Sequence, residues 1–83
     1  MRIRGTKMKR MIVKAKCNGF GSEMRSALCP IEHGCVYFLV NGFEMVLFTN
    51  KTISENDFSE GKEYDISYLP KDRRTMSYPK IIE

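Results

Sequence analysis

Two apolar runs on either side of Asn41-Gly42 form the strongest local pattern in the chain. They read CVYFLV over residues 35–40 and FEMVLF over residues 43–48. Asn-Gly favours a two-residue type I′ turn, in which both central residues adopt positive φ. The pattern therefore predicts a tight β-hairpin whose register is set by the turn. On its core-facing side the predicted pairs are Val40 with Phe43, Phe38 with Met45, and Val36 with Leu47.

The other side of this hairpin is unusually apolar for a surface that meets water. Its members are Cys35, Tyr37, Leu39, Glu44, Val46 and Phe48. Either another wall of the fold or a packed loop covers this side, or it is a face for a ligand or a partner. The sequence alone leaves both alternatives open.

Alternation of apolar and polar residues predicts a strand before the hairpin. Residues 11–17 repeat with a period of two and place lysines on the polar side. Residues 18–21 (NGFG) predict a break, and residues 22–28 fit either a short helix or a second strand, of which we favour the strand. Residues 29–35 predict a connection, because Pro30 has no N–H to donate.

Three further elements are predicted after the hairpin. Residues 54–58, with the sequence SENDF, suit a single helical or 3-10 turn. A strand is predicted over residues 64–70, where a proline at the end interrupts pairing. A last strand is predicted over residues 75–82, in which Pro79 requires an edge position or a bulge.

These elements describe an all-β chain with five or six antiparallel strands and one short helical turn. Strands of this number and length suit a small closed or partly closed barrel. The order of the elements and the segment EGKEYDISYLP over residues 60–70 resemble OB-like and SH3-like barrels. The resemblance implies a fold and no catalytic motif, so function has to be argued from a site.

Length and composition narrow the class of protein. Eighty-three residues with 42% hydrophobic and 29% charged side chains make one small domain. A domain of this size has a thin core, which excludes a large enzyme with a deep cavity. The chain has no run of about 18 apolar residues, and its first ten residues lack the apolar stretch of a secretory signal. We therefore expect a soluble cytoplasmic protein that does not enter membranes.

Basic residues are concentrated at the start of the chain. Residues 1–16 contain seven Lys or Arg and no acidic residue, whereas the remainder has seven basic and ten acidic side chains. We interpret residues 1–10 as a basic N-terminal arm and residues 11–83 as a single barrel domain. Such an arm attracts nucleic acid or an acidic protein surface, although a solvated terminus has the same composition. The acidic excess of the remainder disfavours a polyanion over most of the barrel.

Cysteine and histidine cluster in one part of the chain, where they raise the question of a metal. Cys17, Cys29, His33 and Cys35 offer the thiolate and imidazole donors that Zn²⁺ prefers. The spacing lacks a Cys-x2-Cys pair, so we favour reduced cysteines that pack as small apolar residues, and we predict no metal and no cofactor. Cys29 or Cys35 beside His33 is also the only candidate for nucleophilic catalysis. Without a recognisable oxyanion device, we predict no enzymatic activity.

Aromatic and basic residues favour binding to single-stranded DNA or RNA. A small barrel offers a groove in which bases stack on aromatic rings while basic side chains follow the phosphates. We therefore interpret the protein as a small non-enzymatic binding module for nucleic acid. The candidate contacts are Lys9, Arg10, Lys14, Lys16, Phe20, Arg25, Tyr37, Phe48, Lys71, Arg73 and Arg74.

A protein–protein interaction module is the alternative interpretation. As a small inhibitor or adaptor of bacterial or phage origin, it would use the apolar side of the hairpin for a partner or for a homodimer. A pocket for a small anionic ligand is a third alternative, which the residues alone do not separate from the first two.

Overall fold

The computed structural model describes residues 9–82, and for Arg25, Ser26 and Cys29 it describes the backbone only. Most of the predicted N-terminal arm, residues 1–8, lies outside the described residues. The described chain is all-β apart from one 3-10 turn. In chain order the elements are β1 (Met11–Ser26), β2 (Cys29–Val40), β3 (Phe43–Phe48), the 3-10 turn (Glu55–Asp57), β4 (Glu63–Pro70) and β5 (Met76–Ile82).

The five strands form one antiparallel sheet in the order β3-β2-β1-β4-β5, and its two outermost strands approach each other. Val46 of β3 forms a parallel bridge with Thr75, directly before β5. The Val46 N–H donates to the carbonyl oxygen of Arg74 at 2.7 Å. This contact turns the sheet into a small barrel, which confirms the predicted fold class. Because β1 lies between β2 and β4 and the helical turn follows β3, the connectivity matches the OB-like alternative.

β1 is a single long strand that contains a bulge. It pairs with β4 through its first part and with β2 through the rest. The pairing with β2 skips one residue at Asn18, and Gly19 has a φ of 126°. The predicted break at residues 18–21 is therefore wrong, because the glycine serves a bulge inside the strand. The strand favoured over residues 22–28 is confirmed as far as Ser26.

β2 begins earlier than the sequence predicts. Residues 29–34 belong to the strand and lie opposite β1, so the predicted connection over residues 29–35 is wrong. β3 pairs with Cys35–Val40 and does not reach the first half of β2. Pro30 is tolerated in that half because its missing N–H removes no hydrogen bond to β3.

The hairpin of β2 and β3 has the predicted register. Asn41 and Gly42 have φ values of 54° and 80°, as a type I′ turn requires. The core-facing pairs are Val40 with Phe43, Phe38 with Met45 and Val36 with Leu47. Local turn chemistry therefore determines this part of the fold.

An aromatic cluster packs the predicted helical turn against the sheet. Ser54 and Asp57 form a capping box that begins the turn. Phe58, directly after the turn, lies edge-on to Phe38 and to Tyr64, with ring centroids 5.1 Å apart in both pairs. Each such pair adds about 0.5–1.5 kcal/mol beyond the burial of its surface. The other buried members of the core are Ala15, Cys17, Val36, Met45, Leu47, Ile53, Ile66, Tyr68 and Met76.

β5 contains a bulge at Pro79, which is one of the two alternatives that the sequence leaves open, and it is also the last strand in the sheet order. The pairing with β4 shifts between Ser67 and Leu69, so that β5 carries one extra residue at this point. Tyr78, which precedes the proline, has a φ of 48°. A bulky side chain rarely adopts this left-handed backbone, so the surrounding structure must hold it in place.

Arg10 fastens this bulge to β4. Its Nε donates to Ser67 Oγ at 2.7 Å, and its Nη2 donates to the carbonyl oxygen of Ser67 at 2.8 Å. The same Nη2 donates to the carbonyl oxygen of Tyr78. Arg10 is one of the predicted nucleic-acid contacts, yet its planar fork of donors is occupied within the fold.

Arg10→Met is expected to lower the free energy of unfolding by about 1–2 kcal/mol, because it removes charged hydrogen bonds to partly buried acceptors. Arg10→Lys is not expected to restore the loss, since one ammonium group cannot reproduce the fork of a guanidinium. Urea unfolding measures both changes. Lys9→Met is the matched control, because Lys9 is exposed. An equal loss of stability in the Lys9 and Arg10 variants would contradict the assignment.

Candidate nucleic-acid interface

The segment that joins β4 to β5 (residues 71–75, the β4–β5 segment) lies beside β3. Arg74 and Thr75 are neighbours of Val46, the residue through which the barrel closes. Val46 and Cys35 belong to the outer side of the hairpin, the side away from the core, and are only 1% and 0% exposed. The middle of this apolar side is thus packed within the fold, which is one of the two alternatives that the sequence leaves open.

Arg74 reaches from the β4–β5 segment to Glu23 on β1. Its Nη1 and Nη2 donate to the two carboxylate oxygens of Glu23 at 3.1 and 3.2 Å. Around the closed side of the barrel, β2 and β3 lie between β1 and the β4–β5 segment, so the pair reaches across both strands. Tyr37 of β2 joins the pair by donating its hydroxyl to Glu23 Oε2 at 2.6 Å. The three side chains therefore tie the β4–β5 segment to β1 and β2.

The charges in this cluster stabilise one another. Hydrogen bonds from Arg74 and then from Tyr37 lower the pKa of Glu23, so the carboxylate is ionised at neutral pH. The hydrogen bond to Glu23 raises the pKa of Arg74 and also the pKa of the Tyr37 hydroxyl, which stays protonated. The charge of Arg74 is therefore largely neutralised by Glu23.

Gly21 makes room for the ring of Tyr37. A Cβ atom at position 21 would lie 2.9 Å from Tyr37 Cε2, so any side chain there would displace the ring. The sequence predicts a break at residues 18–21, where Gly19 and Gly21 lie. In the structure one glycine forms a bulge and the other permits a close approach. Sequence reasoning missed Gly21 and Glu23 because their partners come from other strands.

A groove of about 390 Å³ (the first groove) lies between the β4–β5 segment and β3. Phe48, Arg73 and Arg74, which are three of the predicted contacts, line this groove together. Asp72 shapes its wall by accepting the backbone N–H of Arg74 at 2.9 Å and that of Thr75 at 2.8 Å. These backbone hydrogen bonds also lower the pKa of Asp72. Residues distant in the sequence thus meet at one place.

The remaining predicted contacts are distributed over other parts of the barrel. Lys14 and Lys16 lie on β1 opposite acidic residues of β4, and Phe20 lies opposite a core residue of β2. Lys9 is exposed before β1, and the side chain of Arg25 lies outside what the structure describes. The predicted contacts that the structure brings to the first groove, to the β4–β5 segment or to the Glu23 cluster are Tyr37, Phe48, Lys71, Arg73 and Arg74.

The candidate zinc residues lie on different sides of the β1–β2 hairpin. Cys17 belongs to the core opposite Phe38, whereas Cys35 belongs to the outer side. Both thiols are free, and burial raises the pKa of Cys35, which is the opposite of what a thiolate ligand or nucleophile needs. Among the described residues, which leave out the Cys29 side chain, no three metal-binding side chains come together.

Comparison of the chain with protein-family models, with curated proteins and with solved structures gives no match. Within residues 9–82, no helix is long and apolar enough to cross a membrane. A case for function therefore depends on the chemistry of the first groove and its surroundings.

Glu23→Gln is expected to remove part of the acid sensitivity of the fold. A carboxylate whose pKa is lowered by folding stabilises the protein above the ordinary pKa of 4.5, and this stabilisation is lost as the pH falls through the folded pKa. Because both partners are partly exposed, the pair contributes no more than about 1 kcal/mol at neutral pH. Thermal unfolding of the wild type and the variant between neutral pH and pH 3 measures the difference.

The matched control is Glu60→Gln, which removes an exposed carboxylate in the turn before β4. This control is expected to keep the acid dependence of the wild type. A Glu23→Gln variant that lost stability with acid as steeply as the wild type would contradict the role of the pair.

Proposed function

We propose that this protein binds single-stranded nucleic acid in the first groove. The observation that carries the proposal is that Phe48 and Arg73 line one groove. An aromatic ring next to a guanidinium offers a nucleotide a stacking surface for its base and a countercharge for its phosphate. OB-like barrels bind oligonucleotides and oligosaccharides partly through the connection between their fourth and fifth strands, and the corresponding β4–β5 segment lines the first groove. This analogy of fold adds weight to the proposal.

The charges around the first groove favour a polyanion over a neutral sugar. Lys71 and Arg73 form no ion pair with any described residue, so their charges are available to phosphates. Arg74 is different, because Glu23 already occupies its guanidinium. The carboxylate of Asp72 is held against the backbone of its own segment. Of Lys71 and Arg73, only Arg73 lines the first groove, so phosphate contact there is assigned to Arg73, while Arg74 is a positioning residue.

The first groove is held in shape before a ligand arrives. Asp72 fixes the β4–β5 segment from within, and the Arg74–Glu23 pair fixes it to β1. Val46 adds a backbone hydrogen bond between the segment and β3. A preformed site loses less conformational freedom on binding, which favours affinity.

A single strand fits this site better than a duplex. The ring of Phe48 can only stack on a base whose face is exposed, and the faces of duplex bases are covered by their neighbours. Basic residues at 2, 4 and 7 would add attraction that does not depend on base exposure. We therefore expect the barrel to select single strands and the arm to strengthen binding at low salt.

A protein partner is the second candidate, and one observation favours it. Met24 and Ile31, near the end of the β1–β2 hairpin, are 51% and 62% exposed. Exposed apolar side chains grouped near one end of a hairpin are typical of a contact with another protein or with a second copy. This surface differs from the side predicted from the sequence, whose middle is buried.

Fluorescence anisotropy with labelled single-stranded DNA, single-stranded RNA and duplex DNA across a salt series tests the proposal. Phe48→Leu is expected to weaken single-strand binding about tenfold without changing the salt slope, because stacking is lost and no charge is removed. Arg73→Gln is expected to weaken binding and to reduce the slope of log affinity against log salt by about 0.7, which corresponds to one phosphate contact.

Lys62→Gln is the control for Arg73→Gln, because it removes one positive charge at a residue that lies over the Tyr64 ring and outside the first groove. A full-length variant with glutamine at positions 2, 4 and 7 separates the arm from the barrel. Absence of saturable binding at low salt would overturn the proposal. If the variant with glutamine at positions 2, 4 and 7 loses binding while Phe48→Leu and Arg73→Gln bind as the wild type does, the assignment to the first groove is overturned.

A further inference from the structure

Two more grooves continue from the first one past β3 and β5. The second groove has a volume of about 420 Å³ and shares Phe48 and Thr75 with the first. The third groove has a volume of about 680 Å³ and shares Tyr78 and Pro79 with the second. The three grooves therefore adjoin one another in a row, which we call the path. Phe48 lines both the first and the second groove, and Tyr78 lines both the second and the third.

Tyr78 is an exposed aromatic residue that the fold holds in an unfavourable conformation. Its side chain is 75% exposed, so its position is not explained by burial. Its φ of 48° is unfavourable for a bulky residue, and the following Pro79 restricts its backbone further. Arg10 maintains this geometry through its hydrogen bond to the Tyr78 carbonyl oxygen. Strain that persists at an exposed residue is typical of a functional site.

Each groove along this path has a basic side chain that is free of ion pairs among the described residues. Arg73 lines the first groove, Lys71 the second and Lys80 the third. The carboxylate of the third groove, Asp57, accepts the backbone N–H of Ser54 at 2.9 Å and serves the capping box. Rings and cations therefore alternate along the path, which is the arrangement that a single-stranded polyanion with stacking bases requires.

We propose that the bound single strand continues past Phe48 along the second and third grooves, where Tyr78 stacks a further base and Lys71 and Lys80 contact phosphates. This inference rests on the proposed function and extends it from one groove to the length of strand that the barrel occupies. It makes Tyr78 a binding residue, although it is absent from the contacts that the sequence suggests. It also explains the strained bulge of β5, which presents the Tyr78 ring to the second and third grooves.

The test compares oligothymidylates of about four and about twelve nucleotides, which cover the range of lengths that one OB barrel binds. Tyr78→Asn removes the ring and suits the left-handed backbone, which asparagine tolerates. We expect this variant to bind the longer strand about tenfold more weakly than the wild type and the shorter strand equally well. Tyr78→Phe keeps the ring and is expected to bind both strands as the wild type does.

Thermal unfolding separates a binding role from a structural one. Because asparagine relieves the backbone, Tyr78→Asn is expected to have the same melting temperature as the wild type or a higher one. Lys80→Gln is expected to reduce the salt slope for the longer strand only, by about 0.7. These outcomes together would support a path that runs through all three grooves.

The contrary outcomes are distinct from a failure of the proposed function. If the wild type binds the longer strand and Tyr78→Asn binds it equally well, the extended path is wrong and the first groove remains the site. If Tyr78→Asn melts at a lower temperature and binds both lengths more weakly, Tyr78 has a structural role and the inference is overturned. If Tyr78→Phe is as weak as Tyr78→Asn, stacking is not the interaction. If the wild type binds neither strand, both proposals are wrong.

Discussion

The hydrogen bond from the Val46 N–H to the Arg74 carbonyl oxygen closes the barrel, and the rest of the arrangement depends on it. The strand order alone would leave β3 and β5 as two open edges, which proteins generally avoid. Closure at this point brings the β4–β5 segment next to β3, and with it the basic residues of that segment. The same contact that completes the fold therefore builds the first groove.

Side-chain contacts then hold the β4–β5 segment in its position beside β3. Glu23 of β1 binds the guanidinium of Arg74 and accepts a hydrogen bond from the hydroxyl of Tyr37. On the other side of the path, Arg10 holds the bulge that carries Tyr78. Arg10 and Arg74 therefore support the fold from within. Lys71, Arg73 and Lys80, which form no ion pair with a described residue, remain exposed to solvent. The division explains how a chain with an acidic excess after residue 16 presents a weakly basic path.

The parts of the fold that the sequence predicts are those that local chemistry decides. The Asn41-Gly42 turn, the 3-10 turn after Ser54 and the bulge at Pro79 each depend on residues close together in the chain. The bulge at Gly19 could not be predicted in the same way, because two closely spaced glycines fit a loop as well as a bulge. Only the pairing of β1 with β2 decides between the two. The connection predicted from Pro30 was wrong for a related reason. Whether a proline fits in β2 depends on how far β3 extends beside it. Of the site, residue types suggested Phe48 and Arg73, but Glu23 and Tyr78 depend on contacts made across the barrel.

The most direct test of the account is a titration of the ¹⁵N-labelled full-length protein with an oligothymidylate, followed by ¹H–¹⁵N correlation spectra. The central claim is that the bound oligonucleotide lies on the barrel surface where β3 meets the β4–β5 segment and β5. It predicts that the largest shifts occur at the amides of Val46, Arg73, Thr75 and Tyr78. Little change is expected at Lys14, which lies on β1 opposite β4 and lines none of the three grooves. Shifts confined to the β1–β4 side or to the first eight residues would contradict it.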